Sequence, residues 1–273
     1  MTAILTANNV TKQFGGLTAV NSLNVEIPDQ SISSIIGPNG AGKTTFFNCV
    51  TGFYSPEMGE IHYRGNRIDG LRSDQVTRLG VSRTYQNIRL FANLTAIENI
   101  MVGFEPHLKT NWIDAVFRTS RYRQDEKAAH EEAIKLLRFV GLAGLGDQVA
   151  RNLPYGAQRR LEVARALASK PGLLLLDEPT AGMNPHETLE MMHFISNLRD
   201  SFGITILLIE HDMRVVMGIS EQITVLDFGE KIAEGTPKDI QSNTRVIEAY
   251  LGRGAATEGM ATGERAPRRK TTH

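Results

Sequence analysis

The chain has 273 residues, of which 41 % are hydrophobic and 22 % charged, enough apolar material for a sizeable core and unlike a disordered or low-complexity chain. Thirty basic residues balance thirty acidic ones, so no overall field attracts nucleic acid or anionic lipid, and any partner must be recognised locally. The one cysteine, Cys49, excludes an intramolecular disulfide, and the longest apolar runs, Leu173 to Leu176 and Ile204 to Ile209, fall far short of the ~20 residues that span a bilayer.

Met1 to Val10 has no basic stretch followed by a long apolar one, so no secretory signal is expected there. From Leu5 to about Ile68, short apolar runs (Ser22 to Ile27, Ser31 to Ile36) alternate with turn signals such as Pro28-Asp29, and Gly59 to Gly65 reads as a strand ending in a turn. From about Leu90 to Ala168 the period lengthens to that of a helix. Ile134, Leu137 and Val140 share one face behind the charged stretch Arg121 to Glu132, while Leu161, Ala164 and Leu167 share another. A mostly helical subdomain over about 90–168 is therefore expected. After Pro171-Gly172 come a strand at Leu173 to Leu176, a helix carrying Leu189, Met192, Ile195 and Leu198, and a second strand at Ile204 to Ile209; this order implies a parallel sheet. The last residues, 253–273, hold no aromatic and little aliphatic content and read as a disordered polar tail.

Chemistry concentrates in two places. Gly37-Pro38-Asn39-Gly40-Ala41-Gly42-Lys43-Thr44 matches G-x-x-x-x-G-K-[ST] in full, between an apolar strand and a helix-like stretch. In such a loop, glycines let backbone N–H groups close around a β-phosphate, Lys43 neutralises the β/γ oxygens, Thr44 ligates Mg²⁺ and Thr45 serves the α-phosphate side. Cys49, just beyond, is expected to be a packed thiol rather than a nucleophile. The second place is the end of the run Leu173 to Leu176, where Asp177 and Glu178 are suited to holding Mg²⁺ through water and polarising the attacking water.

Many nucleotide hydrolases share those two elements. What lies between and after them is more specific: Gln86 in Arg83-Thr84-Tyr85-Gln86-Asn87, the run Leu153-Pro154-Tyr155-Gly156-Ala157-Gln158 ahead of Glu162 to Leu167, and His211 in Ile209-Glu210-His211-Asp212. With these the chain resembles an ABC-transporter ATPase over roughly Leu5 to Gly252. The resemblance implies an α/β phosphate-loop core with a mostly parallel sheet, an antiparallel β subdomain and a helical signature subdomain. It implies ATP and Mg²⁺ as ligands, with Gln86 reaching the metal and water, His211 contacting the γ-phosphate and Phe14 stacking on adenine. Tyr155, Gly156, Ala157 and Gln158 correspond to the signature that closes over ATP bound by a second ATPase subunit. Ala157 lacks the amide side chain expected at its position, although Gln158 follows at once, and two further positions depart from the pattern. Asn184 stands where Asp is common, and Pro154 replaces a serine that would offer a hydroxyl and an N–H. The composite site built on this chain's signature is therefore expected to be weaker than the one built on its phosphate loop.

Tyr155-Gly156, Asn93-Leu94-Thr95 before Glu98-Asn99, Gly182-Met183-Asn184-Pro185 and the insert Trp112 to Lys127 together look like the larger ATPase of branched-chain amino-acid importers. That likeness implies two membrane permease subunits, a second ATPase subunit, indirectly an extracytoplasmic solute-binding protein, and a position at the cytoplasmic face of the inner membrane. Urea-import and lipopolysaccharide-export ATPases look similar. A DNA-repair relative would need a long heptad insert, a ribosome-acting one two cassettes in one chain, and a nucleic-acid binder a basic stripe with aromatics; none is present, so no nucleic-acid partner is expected.

Overall fold

The computed structural model describes residues 2–107, 112–117 and 119–250. Along them run β1 (Ala3–Phe14), β2 (Leu17–Pro28), β3 (Ile32–Ile36), α1 (Lys43–Val50), β4 (Met58–Tyr63), β5 (Asn66–Arg67), α2 (Ser73–Leu79), β6 (Val81–Arg83), α3 (Ala96–Val102), α4 (Trp112–Phe117), α5 (Ser120–Phe139), α6 (Tyr155–Ala168), β7 (Leu173–Asp177), α7 (Pro185–Phe202), β8 (Thr205–Ile209), α8 (Met213–Ile219), β9 (Gln222–Asp227), β10 (Glu230–Gly235) and α9 (Pro237–Gln241).

Two sheets result. One is antiparallel, in the order β2-β1-β4-β5; the other has six strands in the order β10-β9-β3-β8-β7-β6 and is parallel except for β10 at its edge. Strands β3, β7 and β8 are buried at every residue, as parallel strands covered on both faces must be. Their alternation divides the core in two. Leu174, Leu176, Ile206 and Leu208 face a helical layer that includes Ile100, Ala133, Leu137, Leu161 and Ala164. Leu173, Leu175, Leu207 and Ile209 face the opposite way, toward α1 and the antiparallel sheet, where Phe46, Phe47, Val25 and Ile61 fill the space.

The strands and helices expected from periodicity are present, with one shift. Helix α7 buries Thr188, Met191, Phe194, Ile195 and Leu198, whereas Leu189, expected on the core stripe, is 55 % exposed. Both stripes have helical spacing and meet at Ile195 and Leu198, so contact with the sheet decides which is used. The insert Trp112 to Lys127 supplies α4 and the start of α5, whose N-cap is Thr119. The tail expected over 253–273 lies outside the described residues.

Cys49 is fully buried near the end of α1, and burial pushes its thiol pKa up to about 12. In the native chain a soluble disulfide reagent should modify it at least ~100-fold more slowly than in urea, because only the exposed thiolate attacks. Equal rates, read as released chromophore, would place Cys49 at the surface.

Candidate nucleotide site

The carboxyl ends of β6, β7, β8 and β3 lie side by side, and the loops leaving them bring the chemistry-bearing residues to one edge of the sheet, the usual ligand-binding edge of such folds. The phosphate loop follows β3. Two of its glycines are demanded by packing: a Cβ on Gly37 would sit 2.1 Å from the Leu226 carbonyl oxygen of β9, and one on Gly42, at φ +98°, 2.3 Å from that of Ala19 on β2. Gly40, also at positive φ, has open space beside it; Asn39 is exposed, Ala41 buried and Pro38 half-buried. Gly42 caps α1, whose first turn carries neither a side-chain cap nor an acidic residue, so the turn itself presents no negative charge to an anion. Lys43 is 8 % exposed, and its ammonium donates to the carbonyls of Gly37 at 2.7 Å and Pro38 at 3.0 Å. Thr44 is exposed and Thr45 half-buried.

Phe14, at the end of β1, is 42 % exposed. Its ring meets Tyr54 edge-on at 5.1 Å, and the Lys12 ammonium lies 5.2 Å from its centroid. An accessible aromatic face is what stacking on a base requires.

Asp177 ends β7 almost wholly buried. Arg83, from the end of β6, donates through Nη2 to Asp177 Oδ2 at 2.6 Å and through Nη1 to Asn48 Oδ1 at 2.7 Å. The guanidinium thus balances a carboxylate that would be costly to bury alone. The next residue, Glu178, adopts φ +48°, a left-handed conformation that costs a non-glycine residue of order 1–3 kcal/mol. Gln86 Nε2 donates to Glu178 Oε2 at 2.8 Å, and His211 Nδ1 lies 3.6 Å from the same oxygen. Three residues separated by up to 125 positions (211 − 86) therefore meet at one carboxylate oxygen.

Sequence reasoning did not single out Glu210. Fully buried, it accepts from the Thr180 backbone N–H and hydroxyl at 3.0 and 2.5 Å, and from the His211 N–H at 3.1 Å. It ties the turn after β7 to the turn after β8. The available signal was a carboxylate directly following the apolar run Ile204 to Ile209. Arg83, Arg159 and Glu162 were missed in the same way; the latter two are charges set among the apolar residues of α6.

The signature residues stand apart, at the start of α6 on a separate cleft of about 540 Å³ whose lining includes Pro154, Tyr155, Gly156, Ala157 and Met183 but no phosphate-loop residue. Pro154 is the N-cap and offers no side-chain bond. The Tyr155 hydroxyl donates to the Ala181 carbonyl at 3.3 Å, and Gln158 turns back to donate to Leu153 O at 2.8 Å. Asn184 caps α7, accepting from the N–H groups of His186 and Glu187 at 3.0 Å each; a shared preference of Asn and Asp for N-caps accounts for the exchange at this position.

The residues expected to take a magnesium ion are a hydroxyl (Thr44), an amide (Gln86) and a carboxylate (Asp177), hard oxygen donors of the right kind. Gln86 gives its NH₂ to Glu178, which leaves the amide oxygen as the group a cation would take. Among the described residues no cluster of three or more His, Cys, Asp or Glu could cage a metal. A sparse donor set of this kind suits an ion that arrives with phosphates.

A family profile described as ABC transporter matches residues 20–181, and one described as branched-chain amino acid ATP-binding cassette transporter matches residues 230–256. The chain is 47 % identical over 249 residues to the high-affinity branched-chain amino acid transport ATP-binding protein BraF of Pseudomonas aeruginosa, covering 91 % of this chain and 98 % of that one. To LivG of Escherichia coli K12, which carries the same description, it is 48 % identical with the same coverage. Among solved structures, the ADP conformation of an ATP-binding cassette of an ABC transporter superposes with a TM-score of 0.80 at 30 % identity, over 92 % of this chain and 100 % of that one. A nucleotide-free cassette superposes at 0.79 and 29 %, over 91 % and 99 %. With the phosphate loop, the Asp177-Glu178 pair and the signature helix in the arrangement described, this chain belongs to the ABC transporter family as one of its ATP-binding cassettes.

Proposed function

We propose that this chain is the ATP-hydrolysing subunit of a membrane importer for branched-chain amino acids. The observation that carries the hydrolytic part is the convergence of Gln86 and His211 on Glu178, beside Asp177 and on the sheet edge that bears the phosphate loop. The amino-acid part rests on the likeness to BraF and LivG and on the profile match at 230–256.

Phe14 offers its ring face to adenine, the loop N–H groups from Asn39 to Thr45 and the Lys43 ammonium take the phosphates, and Thr44, Gln86 and Asp177 would hold Mg²⁺. When bound, that ion spreads the charge that develops on the phosphoryl oxygens. Glu178 then orients the attacking water and accepts its proton, while His211 donates toward the γ-phosphate oxygens. Gln86, bonded to Glu178, registers whether the water-binding oxygen is in place. The N-terminus of α6, from Tyr155 to Gln158, closes over ATP held by a second ATPase subunit.

Among the described residues no helix is long and apolar enough to cross a membrane, so work on a membrane requires docking to permease subunits. A cleft of about 480 Å³ beside the Gln86 loop, lined by Phe53, Tyr85, Phe91, Val102 and Arg165 among others, suits that role. Phe53 and Phe91 are each 49 % exposed there. We place the subunit at the cytoplasmic face of the inner membrane, held by two permeases, with an extracytoplasmic binding protein delivering solute from the other side.

Reconstitution with the permeases, the second ATPase and the binding protein tests the whole reading. ATP-dependent uptake of labelled leucine into vesicles, competed by isoleucine and valine, is the expected result. A complex that moves urea or extracts lipopolysaccharide instead would overturn the solute assignment.

A further inference from the structure

Helix α6 carries two buried charges that the chemistry above does not use. Arg159 is 2 % exposed and Glu162 1 %. They are not merely paired with one another: Arg159 Nη1 lies 3.5 Å from Glu162 Oε2, too far for a good hydrogen bond, and both spend their shorter contacts on the chain that carries Gln86. Arg159 donates through Nη1 to the Tyr85 carbonyl at 2.5 Å and through Nη2 to the Gln86 carbonyl at 2.6 Å. The same Nη2 lies 3.4 Å from the Glu178 carbonyl and 3.3 Å from the Tyr155 hydroxyl. Glu162 accepts from the Arg89 N–H at 3.0 Å, at the far end of the same loop. Burial raises the pKa of Glu162 and lowers that of Arg165, whose guanidinium stands 3.9 Å from Glu162 Oε1.

Two charges buried at a cost, each aimed at backbone polar groups of one loop, make a two-point grip. Arginine suits the first point because its planar fork carries donors at a fixed spacing and holds two carbonyls in one geometry, whereas the donors of an ammonium sit at one point on a flexible stem. The grip begins directly after the signature residues: Arg159 follows Gln158 and meets the Tyr155 hydroxyl one turn back, which itself donates to Ala181 in the loop after Glu178.

We propose that Arg159, with Glu162 one turn further along α6, is a positioning residue for hydrolysis, holding the Gln86 loop against Glu178 so that displacement of the signature helix moves the Gln86 amide. Neither residue touches the phosphates; both act through Gln86. The proposal rests on the hydrolytic reading above for its consequence, but the grip itself is a property of this chain's own contacts.

Its test uses the full chain and two readouts. In hydrogen–deuterium exchange, Arg159→Lys should speed exchange of the 85–89 amides by roughly tenfold while 173–177 stays unchanged, because only the local opening of the loop is altered. Glu162→Gln, which keeps volume and acceptor, should give a smaller rise confined to Arg89. In the assembled transporter, Arg159→Lys should lower kcat roughly tenfold with KM within about twofold, and should cost nothing further in a Gln86→Ala background, since residues acting as one unit are not additive. Unchanged exchange at 85–89, or a double variant whose losses multiply, would overturn the proposal. A wild-type complex that binds ATP without hydrolysing it would instead sink the hydrolytic reading, and the exchange measurement would still decide whether the grip exists.

Discussion

Glu178→Gln should bind MgATP within about twofold of the wild-type affinity yet hydrolyse it roughly 10²–10⁴-fold more slowly, the span associated with loss of a positioned proton acceptor. The replacement has the shape of the original and can still meet Gln86 and His211, which contact Glu178 Oε2 at 2.8 and 3.6 Å. What it lacks is a basic oxygen. The side chain is 20 % exposed, so water reaches it, while the rest of the residue is locked by the bond from its N–H to Ile209 O at 2.9 Å and by its left-handed backbone. Titration calorimetry for binding and phosphate release for turnover separate the two effects. Retained hydrolysis would remove Glu178 from the chemistry. In a complex with a different second ATPase, the loss should be greater from this chain's Glu178 than from the partner's equivalent residue, because the partner's ATP meets a signature whose cap is Pro154. Equal losses would mean that Pro154 leaves the composite site intact.

Lys43→Ala should weaken ATP binding by at least ~100-fold, about 2.7 kcal/mol. The ammonium spans the loop, bonded to the carbonyls of Gly37 and Pro38, and so holds the two ends of its first turn together. Alanine removes both that bridge and the one cation the motif places on the β/γ oxygens. The strand and helix on either side keep their packing through Ile35, Phe46 and Phe47, so the variant should remain folded by circular dichroism. Calorimetry showing wild-type affinity would refute the role given to the loop.

The parts of the molecule readable from sequence are those whose signal is local. The phosphate loop needs its glycines and lysine at fixed spacing, and the buried strands β3, β7 and β8 are continuous apolar runs, so both could be placed by inspection. Gln86 and His211 owed their recognition to resemblance alone, since a single polar residue has no pattern of its own. The grip of Arg159 on residues 74 and 73 positions away, and that of Glu210 on Thr180 across 30, depend on which strands become neighbours and leave no periodic trace. The hairpin β9–β10 escaped notice because its second strand, Glu-Lys-Ile-Ala-Glu-Gly, has no buried residue and alternates weakly. On α7, two apolar stripes competed and the sheet selected the one through Met191 and Phe194.

The carboxylate of Glu210 has a mechanical consequence. By gripping Thr180 on one side and His211 on the other, it welds the supports of Glu178 and His211 into one anvil fixed to β7 and β8. Any change of spacing among Gln86, Glu178 and His211 then has to come from the hammer, the Gln86 strap riding on α6, and a permease pressing on the neighbouring cleft would strike the side that can give.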